Sequence, residues 1–94
     1  MDDGSFQWND AKAARNLALH GVSFEAARLA FQDPFALDWR DDRADYGEER
    51  FITLASVDKR ILCVVYTERG GATRIISARG AEPHERRRYH ANRG

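Results

Sequence analysis

Three arginines, Arg69, Arg74 and Arg79, stand in the stretch Tyr66-Thr67-Glu68-Arg69-Gly70-Gly71-Ala72-Thr73-Arg74-Ile75-Ile76-Ser77-Ala78-Arg79, among apolar and hydroxyl residues that favour strands. A guanidinium is charged at any physiological pH and presents a rigid fork of donors that fits a phosphate. Several of them on one small sheet point to a phosphodiester ligand, which makes RNA or DNA the first partner to consider. Arginine held on a strand is also well placed to stabilise charge that develops on phosphorus during transfer. If Gly70-Gly71 is a two-residue hairpin turn, Arg69 faces Ala72 and Thr67 faces Arg74. Arg69 and Arg74 then share one face and Arg79 takes the other, a relation that a bulge at the glycines reverses. The competing reading pairs these arginines with the acids of residues 41–49, or leaves them at a wet edge.

Among the histidines, His20 is the one to watch, because a neutral imidazole can take a proton from a ribose 2′-hydroxyl near pH 7. It also sits where a helix should end, and there a histidine has a favourable place at the negative end of the helix dipole without any further role. Lys12, Asn16 and His20 recur every four residues and so form one polar stripe: a solvated face, a docking surface or part of a site. His84 and His90 are six apart and do not share a helix face, and no Cys/His/carboxylate cluster has metal-ligand spacing. No glycine-rich phosphate loop and no Ser/His/Asp constellation is present in the sequence. Trp8 and Trp39 can stack on bases, but in so small a chain both are expected in the core.

Composition narrows the classes. The 94 residues make one domain with a modest core, and the single cysteine, Cys63, lies within the apolar run Ile61-Leu62-Cys63-Val64-Val65-Tyr66. An internal disulfide is therefore excluded, Cys63 is expected to be buried, and a reducing cytoplasm is the natural compartment. The longest apolar run is far below the ~20 residues of a membrane helix. The start, Met-Asp-Asp-Gly, is acidic where a secretory signal would be basic. Net charge is zero, yet residues 1–68 carry −5 and residues 69–94 carry +5. A basic half suits a polyanion, unless the two halves neutralise each other in the fold.

The elements that must position these residues follow from periodicity and punctuation. Residues 5–9 alternate as a first strand, Asn9 or Asp10 caps a helix over 11–19, and Gly21 stops it. Ser23 caps a second helix with Phe24, Ala27 and Phe31 on one face, ended by Asp33-Pro34. The pair can be read as a helix-turn-helix, but the exposed Glu25, Arg28 and Gln32 are not the basic set a duplex backbone requires. Strands are predicted over 35–40, 50–57, 61–68 and 72–79, with a five-acid loop at 41–49 and turns at Asp58-Lys59 and Gly70-Gly71. Pro83 opens a last helix over 82–92 whose one large apolar anchor is Tyr89, so it is expected to dock weakly or to be ordered by a partner. The order β-α-α-β-β-β-β-α, with helices segregated from an antiparallel sheet, is an α+β layout.

Taken in order, Phe6-x-Trp8, Lys12, Asn16, His20-Gly21-Val22-Ser23-Phe24-Glu25-Ala26, Phe31-x-Asp33-Pro34, Glu49-Arg50, Tyr66-Thr67-Glu68-Arg69 and Arg74-Ile75-Ile76-Ser77-Ala78-Arg79-x-Ala81 resemble the BrnT family of bacterial toxins over 6–89. The resemblance implies a RelE/ParE-like fold: two N-terminal helices on a mainly antiparallel sheet of four to five strands, with a short C-terminal helix. It implies a metal-independent endoribonuclease, without cofactor, in which the RNA 2′-hydroxyl attacks the phosphate and leaves a 2′,3′-cyclic phosphate. A cognate antitoxin, itself a small DNA-binding protein, would neutralise the toxin, join it in repressing the operon, and as a dimer give a two-plus-two assembly. Operator DNA would be met only through that complex. Carried onto this chain, Arg69, Arg74 and Arg79 are the phosphate-handling candidates, with His20, Lys12 and Glu49 behind them as acid–base or positioning candidates. One departure is Leu19, where relatives commonly place a basic residue before the His-Gly-Val block. Tyr89 is not assumed to be the stacking tyrosine of some ribosome-dependent relatives. The rival readings are a non-catalytic binding module and an inactive toxin.

Overall fold

The computed structural model describes residues 1–93, and its elements begin and end on local signals. Helix α1 spans Asp10–His20; the Asn9 side chain accepts from the Lys12 N–H, and Gly21, at φ 69°, closes the helix by donating to the Leu17 carbonyl. Ser23 caps helix α2, Phe24–Ala27, and the chain then tightens into a 3₁₀ segment over Arg28–Gln32. The single second helix expected to run to residue 32 is thus only four residues of α-helix, its remainder wound into the tighter form common at helix ends. Residues 24–32 thus lack the continuous α-helix of a recognition helix, which tells against the helix-turn-helix reading.

The strands are β1 Phe6–Gln7, β2 Leu37–Arg40, β3 Phe51–Val57, β4 Arg60–Arg69 and β5 Ala72–Gly80, and helix α3, Pro83–Arg93, follows. They form one sheet in the order β1-β5-β4-β3-β2, antiparallel except for β1, which runs parallel to β5. This is the expected α+β arrangement, two N-terminal helices and a short C-terminal helix on a mainly antiparallel five-stranded sheet.

Burial explains why β4 reads as a continuous apolar run. Leu62 and Val64 face a cluster with Trp8, Val22, Phe24, Ile75 and Ala78, while Ile61, Cys63 and Val65 face a second with Ile52, Leu54, Ala81 and Tyr89. A central strand covered on both faces shows no alternation. Cys63 is buried as expected, and burial pushes its thiol up to about 11, which leaves it inert. Trp8 is in the core, and Trp39 packs against the second cluster with the Arg88 guanidinium 4.5 Å from its ring centroid.

Helix α3 is not weakly docked. Tyr89 is 1 % exposed, the largest fully buried side chain among the described residues, and its hydroxyl donates to Asp33 at the end of the 3₁₀ segment. One aromatic ring with a satisfied hydroxyl does what a run of smaller apolar residues would otherwise do.

Strand β1 pairs only with Thr73 and Arg74, which leaves the rest of the β5 edge open. Asn16 closes it: its amide donates to the Ala78 carbonyl at 2.7 Å and to the Val22 carbonyl at 2.9 Å, and its oxygen accepts from the Ala78 N–H at 3.1 Å. The side chain stands in for a neighbouring strand. Asn16 is therefore buried structure, not one member of a solvated stripe.

Candidate active site

The turn at Gly70-Gly71 is the two-residue turn expected, with Arg69 opposite Ala72 and Thr67 opposite Arg74. Further along, β5 carries one extra residue: Ile75 faces Tyr66, but Ser77 faces Val65, and Arg79 faces Cys63. Thr67 and Cys63 are four apart on the regular strand β4, so their side chains share a face. Arg74 and Arg79 therefore share that face too, and Arg69 joins them. The placement of Arg79 on the opposite face is thus corrected, by a bulge at Ile76, six residues beyond the first turn glycine and not at the glycines. All three arginines point to the side that carries α3.

They do not converge on one point. Arg79 lies at the C-terminal end of β5, about 13 Å along the sheet from Arg74 and roughly 20 Å from Arg69. Each has its own partner. Arg69 pairs with Glu48 at 2.9 Å, so for this residue the acidic-loop reading holds. Arg74 donates to the Gln7 side-chain oxygen at 2.9 Å, across the parallel β1 pairing. Arg79 is gripped by Glu85 of α3 through both carboxylate oxygens, at 2.7 and 3.1 Å, and also donates to the Gly80 carbonyl. That hydrogen-bonded pair raises the Arg79 pKa and holds the Glu85 carboxyl below its usual range, although burial pulls each the other way.

At this end of the sheet a cleft of about 610 Å³ opens between the end of α1 and helix α3. Arg79 and His20 both line it, so two of the six singled-out residues meet there. Lys12 lies beside it in a shallower groove that shares His20 and Leu19 and also includes Arg15 and Ile76. Glu49 does not reach the cleft: its side chain is 64 % exposed in the acidic loop, 3.9 Å from Arg40, near the far end of β4. Leu19, where a basic residue was noted as missing, is 77 % exposed at the cleft rim.

Four further basic or titratable side chains complete the wall: Lys59, Arg60, Arg86 and His90. None of the four is among the candidates read from the sequence, where His90 is weighed only for metal ligation. The pair Lys59-Arg60 read as a turn followed by a strand, and what brings it to Arg79 is the register that sets Leu62 opposite Gly80. Arg86 opens the run Arg86-Arg87-Arg88 in α3, and its guanidinium donates to the Ala81 carbonyl at 2.8 Å. Among the described residues Glu82 is the one carboxylate that lines the cleft. A recess with this lining concentrates anions, and its arginine forks and imidazoles can both grip a phosphate and exchange a proton. Among the described residues no group of three or more His, Cys, Asp or Glu side chains could hold a metal ion, and no helix is long and apolar enough to cross a membrane.

Comparison with curated proteins finds no match. A family model described as "Ribonuclease toxin, BrnT, of type II toxin-antitoxin system" matches residues 8–85, a span that runs from the first core tryptophan to the glutamate that grips Arg79. With the expected fold in place and the match covering most of the chain, the protein belongs to the BrnT family of type II toxin–antitoxin ribonuclease toxins.

Proposed function

We propose that the chain cuts RNA within the strand, without a metal ion, at the cleft where Arg79 and His20 meet. The observation that carries this reading is their convergence in one basic recess from two separate elements. The 2′-hydroxyl oxygen attacks the adjacent phosphorus, its proton passes to His20, and the bond to the 5′-oxygen breaks. That oxygen takes up a proton from water or from His90. The products are a 2′,3′-cyclic phosphate and a 5′-hydroxyl end. Arg79 stabilises the added negative charge on the phosphorane, which in a preorganised site accounts for roughly a hundredfold or more in rate. Arg74 and Arg69, on the same face, contact the RNA backbone farther along, and Lys12 contacts it beside His20. Glu49 has no part in the chemical step.

Membership of a type II family brings a cognate antitoxin as partner. In this reading the antitoxin is a small dimeric DNA-binding protein that covers the cleft in a two-plus-two complex, and operator DNA is met only through it, in repression of the operon. The toxin acts in the cytoplasm on RNA of the translating cell.

The test is incubation of purified chain with RNA in the presence of a chelator, followed by mapping of both new ends. Wild type should give 5′-hydroxyl and cyclic phosphate ends, and Arg79→Ala and His20→Ala should cut at least a hundredfold more slowly. The clamp of Glu85 on Arg79 favours one other reading, a binding module whose arginine is structural. RNA left whole by folded wild-type protein would establish that one instead.

A further inference from the structure

Arg60 sits on β4 two residues before Leu62, whose partner across the sheet is Gly80. Its side chain lies flat across Gly80: a Cβ built on that glycine would stand 2.6 Å from Nη2 and 3.3 Å from both Cζ and Nε of Arg60. Any other residue at position 80 would push the guanidinium aside. Gly80 adjoins Arg79 in the chain, and the two guanidinium groups, carried on opposite faces of the sheet, line one cleft at the end of β5 together with His20.

Their electrostatic states differ. Arg79 is paired with Glu85, whereas Arg60 makes no ion pair with any carboxylate among the described residues. An exposed fork that lies against Gly80, has no acid paired with it among the described residues and lines a basic recess is arranged to receive an anion from outside. We propose that Arg60 is a substrate-binding residue that grips an RNA phosphate in this cleft, and that Gly80 is the positioning residue that leaves room for its guanidinium. This rests on the cleft being the RNA site.

The experiment measures binding of a single-stranded 2′-O-methyl RNA, which lacks the attacking hydroxyl, over a range of salt concentrations. Melting curves accompany each variant. Arg60→Ala should bind about tenfold more weakly, and the slope of log K against log salt should shrink by about 0.7 for the one lost phosphate contact. Arg60→Lys should recover the slope but not the full affinity, since the charge returns without the fork. Gly80→Ala should keep the fold, because the clash is with the far end of a flexible side chain. It should weaken binding severalfold in the wild type and add nothing in the Arg60→Ala background. Arg87→Ala, which removes an exposed charge that does not line the cleft, is the control. Wild type that binds while Arg60→Ala matches it in affinity and slope would overturn the role of Arg60. Weakening by Gly80→Ala that persists in full without Arg60 would overturn the role of Gly80. Wild type that binds no RNA would overturn the cleft reading on which both depend.

Discussion

Glu85 holds Arg79 through two parallel hydrogen bonds, so the helix after the sheet fixes the guanidinium that the sheet displays. The Glu82 N–H donates to Glu85 Oε1 at 2.8 Å, which anchors the carboxylate in turn. Such a clamp trades charge for orientation. In Glu85→Gln the positive charge of Arg79 is unmasked while its alignment loosens. RNA should then bind as tightly as before or more so, and cleavage should slow by about tenfold, a split between KM and kcat that mere unfolding would not produce. Equal losses in binding and cleavage would count against orientation as the function of this pair.

Asn16 makes three hydrogen bonds to backbone that is otherwise buried and open. Asn16→Ala should cost about 2–4 kcal/mol in urea unfolding, since it strands an N–H and two carbonyl groups away from water. Asn16→Asp keeps the shape and the acceptor but sets a carboxylate against two carbonyl oxygens, and it should be at least as destabilising. A cost under about 1 kcal/mol for both would mean that water replaces the amide at the β5 edge.

Most of the architecture was legible because its signals are local: caps at Asn9 and Ser23, a left-handed stop at Gly21, the strand alternation before the acidic loop, and the turn glycines. What could not be read were the relations that depend on an event elsewhere. The bulge sits in Ile75-Ile76-Ser77, where either isoleucine is a good strand residue and nothing marks the extra one, yet it decides which face Arg79 takes. The docking of α3 rests on Tyr89 and on a distant acceptor, Asp33, rather than on a periodic stripe. For the same reason Arg60 stayed hidden, since its importance lies in what Gly80 lacks. His20 and Arg79 were legible as residues, and their meeting at one cleft required the fold.

Asp41 should set the acid limb of stability. Its side chain is 1 % exposed and bonds Arg43 through both oxygens, with Tyr46 also donating. The hydrogen bonds from Arg43 outweigh burial and hold the carboxyl down to about 2, against an ordinary 3.8. Because the folded value is depressed, this stabilisation is complete above the unfolded value and is lost as pH falls from about 4 toward 2. Arg43 is itself 63 % exposed, which screens the pair, so the contribution is on the order of 1 kcal/mol. In Asp41→Asn the melting temperature should fall at neutral pH and depend less steeply on pH below 4. An acid limb identical to that of wild type would assign the effect to other carboxylates.

Tyr89 ties the folding of α3 to the cleft. Tyr89→Phe removes only the hydroxyl that donates to Asp33 and should cost about 1 kcal/mol with little effect on cleavage. Tyr89→Ala empties a fully buried site and should cost about 3–5 kcal/mol. The second variant should also release α3 from the sheet, and with it Glu85 from Arg79 and the wall formed by Arg86 and His90. Hydrogen exchange in residues 83–93 should then rise to the level of an unprotected segment while the β4 amides stay protected. Cleavage should fall further than in Glu85→Gln, because two cleft-lining side chains leave together with the clamp. If α3 exchanged freely while cleavage held at the wild-type rate, the chemistry would have to reside on the sheet and α1 alone.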